Sequence, residues 1–159
     1  MPGAAFEWQP LVAPPAAIRD PDGDGLELKI ESRTIPEKNY GTYAMGQVTT
    51  IVAGTTANHQ NVLLATDEPS KISDLLVRAL SDGDLDRTIS IFEDGMTMRI
   101  ERDGVDRWSV TCRPIPMPPP DAKWNGFPAF AFQIHRRAVE RARDQLNELS
   151  RILAAGDKL

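Results

Sequence analysis

Cysteine, histidine and aromatic residues are scarce in this chain. Cys112 is the one cysteine among 159 residues, so no disulfide can close within the chain, and such usage fits a reducing compartment. With only His59 and His135, no zinc-ligand spacing exists, and neither a phosphate-cradling glycine loop nor a Ser-His-Asp arrangement can be placed. No run approaches the roughly 18 apolar residues of a membrane span. The opening Met1-Pro-Gly-Ala-Ala-Phe-Glu-Trp8 lacks the basic start and apolar centre of a signal peptide. These absences lead to the expectation of a cytoplasmic protein with no membrane partner and no cofactor. The length is that of one ordinary domain with a core of its own.

Charge is present and uneven. The net charge is −5, with −8 over residues 1–94 and +3 over residues 95–159. An acidic total argues against broad nucleic-acid affinity. The basic C-terminal part still admits an acidic partner.

Along the chain, residues 1–17 form a Pro/Ala-rich arm suited to an extended conformation or an edge strand. Residues 18–155 read as a single α+β domain and 156–159 as a tail. Leu26, Leu28 and Ile30 alternate with charged residues as in a half-buried strand, and Tyr43 to Ala53 and Asn61 to Thr66 read as two more, joined by a loop over 54–60. A helix follows, with Asp67 as its cap, Glu68 and Pro69 in its first turn, an apolar face of Ile72, Leu75, Leu76, Ala79 and Leu80, and Gly83 as its stop.

Asp94-Gly95 and Asp103-Gly104 predict a three-stranded meander. A two-residue first turn sets Ile91 against Met98 and Ile89 against Ile100. A three-residue second loop, Arg102 to Gly104 with Gly104 left-handed, sets Trp108 against Met98 and Val110 against Met96. The core face is then Ile89, Ile91, Met96, Met98, Ile100, Trp108, Val110 and Cys112. Arg113 to Pro120 reads as a polyproline connector. From Phe130 to Ala155 the spacing predicts one long helix, with a stripe of Ala131, His135, Ala138, Ala142, Leu146, Leu149 and Leu153, and with Arg136–Glu140 and Arg141–Asp144 at ion-pair spacing on the other face.

Four constellations bear on chemistry. Asp20 to Glu31 matches the calcium-loop pattern, with Asp20, Asp22, Asp24 and Glu31 as ligands. Its flanks are wrong for paired helices: Pro14 and Pro15 precede it, Pro36 follows, and Glu27 stands where an apolar residue belongs. Asp-Pro-Asp-Gly reads instead as the turn of a hairpin between Ala16–Arg19 and Leu26–Glu31. Cys112 and His135, both assigned inward positions, could meet as a thiolate–imidazole pair in a pocket beside Trp108, with Asn125 or Asp121 as the candidates for a third member. Arg113-x-x-Pro116-x-x-Pro119 fits a basic PxxP ligand of aromatic grooves. Arg136, Arg137, Arg141 and Arg143 form a basic cluster without an aromatic residue to stack a base.

Leu76 to Asp86 resembles the helix-and-turn opening of NTF2-like and SnoaL-type domains. That resemblance implies a second helix after the turn, whereas Thr88 to Phe92 reads as a strand. The expected fold is α+β: one antiparallel sheet of five or six strands with two amphipathic helices packed on one face, the C-terminal one long. The expected function is a non-enzymatic accessory, regulatory or immunity-type subunit meeting a protein partner, or a second copy, through Arg136, Arg137, Arg141 and Arg143 or through Pro116 and Pro119. The alternatives are a small-molecule enzyme or binder at Cys112 and His135, and calcium binding at Asp20–Glu31.

Overall fold

The computed structural model describes residues 7–35, 42–81, 87–115, 124 and 127–157. The elements in chain order are β1 (Trp8–Pro10), β2 (Ala16–Arg19), β3 (Gly25–Thr34), β4 (Tyr43–Val52), β5 (Thr55–Ala65), α1 (Glu68–Leu80), β6 (Arg87–Ile91), β7 (Met96–Arg102), β8 (Arg107–Pro114), β9 (Phe130–His135) and α2 (Arg136–Asp157). The α+β character and the antiparallel pairing hold. The single sheet of five or six strands does not: β1 to β5 form one five-stranded sheet and β6 to β9 a separate four-stranded one. Helix α1 separates the two meanders, so each pairs strands that are close in sequence. The order of four meandering strands and a helix therefore occurs twice, as β2 to α1 and as β6 to α2.

The N-terminal arm does pack as an edge. β1 and β2 both lie along β3, with Trp8 opposite Thr34 and Ala16 opposite Leu28, and between them the Leu11 N–H donates to the Glu31 carbonyl at 2.9 Å. Pro14 and Pro15 have no N–H to offer, which is why this edge strand breaks where it does. The Asp20–Gly23 turn joins β2 to β3 as expected, with Arg19 opposite Gly25.

The expected loop over 54–60 is a strand instead. The turn is only Ala53-Gly54, both left-handed (φ 51° and 79°), which suits a tight hairpin, and β5 starts at Thr55 opposite Val52. The polar residues of 55–60 had suggested a loop because this end of the hairpin is largely solvated and has no apolar alternation to display. Two irregularities bend the sheet, one between Ile30 and Ser32 and one at Gly46/Val48 opposite left-handed Asn61. The first reverses the parity of β3, so Arg33 points into the core.

In the second sheet the expected inward residues are inward, Ile89 partly so, but both turns differ. Ile91 faces Met96 and Ile89 faces Met98, because the chain turns early, at Phe92, and buries that ring. Met98 faces Cys112 and Ile100 faces Val110, because the second turn runs to left-handed Asp106 and closes with the Asp103 N–H on the Arg107 carbonyl. Gly104 does have a positive φ, 130°. Each register slips by an even number of residues, which preserves the faces.

The long helix is shorter than expected. Phe130 to His135 is the edge strand β9, with Phe130, Phe132 and Ile134 inward and Ala131, Gln133 and His135 outward. Ala131 and His135 coincide with a helical stripe only because four-residue spacing is even and so also satisfies a strand's period of two. The rest of the stripe, Ala138, Ala142, Leu146, Leu149 and Leu153, is buried, together with Val139. α1 packs on α2 and touches β6 and β7, while α2 lies on β2 and β9. Buried side chains from both sheets and both helices form a single apolar cluster.

Gly46 sits where β3 and β4 approach most closely: a Cβ there would lie 2.0 Å from the Lys29 carbonyl oxygen and 2.9 Å from the Ile30 Cα. Backbone cannot swing aside as a side chain would. Gly46→Ala is expected to lower unfolding stability by about 1–3 kcal/mol or more, read as a reduced denaturant midpoint.

Candidate functional site

Cys112 and His135 do not meet. Cys112 is fully buried on the inner face of β8 opposite Phe130, and burial pushes its thiol up to about 12. His135 pairs with Arg107 at the far end of the same ladder and points outward, its side chain 65% exposed. Trp108 is also buried, so Cys112 and Trp108 are closed to solvent and do not share an open pocket with His135. Asn125 and Asp121 lie outside the described residues, as do Gly83 and the Pro116 and Pro119 pair of the connector.

The calcium-loop carboxylates diverge. Asp20 accepts the His135 backbone N–H at 3.1 Å through one oxygen and lies 2.7 Å from His135 Nδ1 through the other. Asp24 accepts the Ala53 and Gly54 N–H groups at 2.8 and 3.2 Å, holding the tight β4–β5 turn. Glu31 accepts from Gln47 Nε2 at 2.9 Å, and Asp22 is exposed at the turn. Among the described residues, no group of three or more His, Cys, Asp or Glu side chains is placed to hold a metal ion. These acids fasten a hairpin to its neighbours.

Fastening Asp20 to His135 brings the acidic turn against the first turns of α2. Between them is an open groove of about 590 Å³ lined by Asp20, Asp22, His135, Arg137 and Arg141, with Ala138 among them. The basic cluster divides here. Arg136 reaches Asp106 at 2.7 Å and lies over the Trp108 ring, 5.3 Å from its centroid. Arg143 pairs with Asp144 at 3.0 Å, the acid that spacing had assigned to Arg141, and Arg151 pairs with Glu148. Arg137 and Arg141, one turn apart and exposed, make no ion pair with any described residue.

The sequence reading missed a second cluster. Asp67, expected to cap α1, has helical backbone angles and makes no side-chain cap; it pairs with Lys71 at 3.7 Å. Glu68 turns back instead, accepting the Ala65 N–H at 2.5 Å and the Glu93 N–H at 3.4 Å. It is 4% exposed and has no cationic partner among the described residues. Burial lifts its pKa to about 7, the N–H groups of Ala65, Glu93 and Phe92 work in the opposite direction, and the Glu93 charge adds to the rise. Glu93 is itself raised, first by burial and then by Asp94 and Asp67. In sequence nothing separates Glu68 from an ordinary first-turn acid; burial and the loop folded over it make the difference.

Two measurements follow from these environments. Cys112 is expected to resist alkylation in the folded protein and to react once it is denatured, as mass spectrometry would read. Glu68 ionises more readily in the unfolded chain than in the folded one, so its contribution to stability is greatest below about pH 4.5 and is lost as pH rises toward about 7. Glu68→Gln is expected to flatten that slope and to exceed the wild type at pH 8 by on the order of 1–3 kcal/mol in urea titrations.

No family model, no curated protein and no solved structure matches this chain.

Proposed function

We propose that the chain is a non-enzymatic interaction protein, an accessory or regulatory subunit, that meets an acidic protein partner through the first turns of α2. The observation that carries this reading is the split among the arginines of α2: Arg137 and Arg141 line an open groove with no ion pair to any described residue, while Arg136, Arg143 and Arg151 are held by carboxylates. Two arginines at i and i+4 have Cβ atoms about 6 Å apart on one helix face, so their guanidiniums suit two neighbouring carboxylates or one held bidentately. Asp22 on the opposite wall favours a partner surface that places a basic group beside its acids, which sets register as well as attraction.

The chemistry of the described residues supports binding over catalysis. The thiol is buried and un-ionised, and the exposed imidazole is engaged by Asp20. The apolar stripe of α2 is consumed by the core, and the large apolar side chains left exposed among the described residues, Val12, Val77 and Val105, are far apart in sequence, on the β1–β2 connection, α1 and the β7–β8 turn. A contact through α2 is therefore polar, and its strength depends on salt.

The test is affinity purification from the native host with the wild type and with Arg137→Glu/Arg141→Glu, read beside solution mass. The wild type is expected to retain a partner that elutes with added salt, and the double reversal to weaken retention by about tenfold or more. A wild type that stays monomeric and retains nothing, or a reversed variant that retains the same partner equally well, would overturn the reading.

A further inference from the structure

We propose that Glu68 is a proton-controlled latch: its neutral carboxyl keeps the Phe92–Gly95 loop closed, and its ionised form loosens that loop and withdraws Phe92 from Trp124. This inference is independent of the α2 groove.

The geometry begins with a buried acid that lacks a counter-charge among the described residues. The charged side chain that bears on Glu68 is Glu93 from the loop, and Glu93 is in turn flanked by Asp94, Asp67 and Lys71; β5 carries no Asp, Glu, Lys or Arg. Lys71, the one cation, is engaged by Asp67. An ionised Glu68 therefore meets desolvation and the neighbouring Glu93 carboxylate, offset in part by the Ala65, Phe92 and Glu93 N–H groups. Opening the loop would let water reach the charge.

The loop is also the weak point. Phe92, Glu93 and Asp94 are three consecutive non-glycine residues with φ of 56°, 55° and 59°. Left-handed geometry costs roughly 1 kcal/mol or more at each such residue, so contacts must hold the loop in this form. The contact from outside the loop's own backbone is with Glu68 on one side. On the other side Phe92 stacks on Trp124 at 5.7 Å, and Gly95 lies so close to that indole that a Cβ would be 2.6 Å from its Cδ1.

Loosening would travel outward through aromatic packing. Trp124 touches His59 at 5.0 Å and Phe127 at 5.4 Å between ring centroids. Phe127 in turn lines an apolar cavity of about 280 Å³ against the β4–β5 hairpin. The proton on Glu68 thus bears on the shape of that cavity through the Phe92, Trp124 and Phe127 rings.

His59 is ionisable and also touches Trp124, so the test must separate it from Glu68. The measurement is a ¹H–¹⁵N titration from pH 5 to 9 of the wild type, Glu68→Gln and His59→Gln, with amide exchange recorded at the ends. In the wild type and His59→Gln, the Phe92 and Glu93 amides and the Trp124 indole are expected to move together near pH 7, and Glu93 exchange protection to fall by about tenfold above it. In Glu68→Gln that transition should be absent. Its persistence in Glu68→Gln, its loss in His59→Gln, or its absence from the wild type would overturn the latch. If Glu68→Gln fails to fold, His59→Gln and Glu93→Gln together decide the matter: a transition kept in both assigns it to Glu68, and its loss in either overturns the latch.

Discussion

Helix α2 is pinned along its length by the β2–β3 hairpin, and the rest of the structure is arranged around that docking. At its start, Asp20 takes both the backbone N–H and the ring nitrogen of His135 and sets a carboxylate beside the positive end of the helix dipole. Midway, Gln145 Oε1 accepts the Ala17 N–H at 2.8 Å, satisfying a strand edge that would otherwise lack a partner. Near its end, fully buried Arg33 donates to the Leu153 carbonyl at 2.5 Å and to the Thr34 carbonyl at 3.1 Å. A buried guanidinium is tolerated only when its donors are satisfied, and the carbonyl end of a helix offers both acceptors and favourable dipole charge. With α2 held in this way, Leu146, Leu149 and Leu153 face inward, α1 packs on it through a Ser73–Asn147 hydrogen bond, and the two sheets share one core.

This fastening explains the distribution of polar chemistry over the molecule. The residues that look reactive in sequence have structural partners: Asp20 and His135 bind one another, Asp24 holds a turn, and Cys112 fills space between strands. Among the described residues, Arg137 and Arg141 line the groove without an ion pair, and Glu68 is buried with backbone N–H partners but no counter-charge. The first pair is suited to contact, since exposed charge costs little to present and steers association. The inner acid is suited to response, since a buried carboxyl near neutrality changes charge within the physiological range.

Much of the local structure was legible. The Asp20–Gly23 hairpin, the span of α1, and the inward faces of β7 and β8 follow from turn chemistry and alternation. The division of β9 from α2 did not, because His135 and Ala131 satisfy both periods, and parity alone could not detect the even slips at Phe92 and Asp106. For the candidate site, Arg137, Arg141, Asp20 and His135 were each singled out, but in separate roles; the groove that unites them depends on a contact 115 residues apart in sequence. Glu68 carried no signal, since its character comes from a loop that folds over it from the next sheet.

The sequence by itself determined the Asp20–Gly23 turn, the span of α1 and the apolar faces of β7, β8 and α2, because those depend on interactions a few residues long. Only the tertiary structure decided that the strands divide into two sheets, that a bulge turns Arg33 inward, and which charges are paired, buried or left free. Such outcomes depend on which surfaces exclude water from which groups, and that is known only once distant segments are packed together.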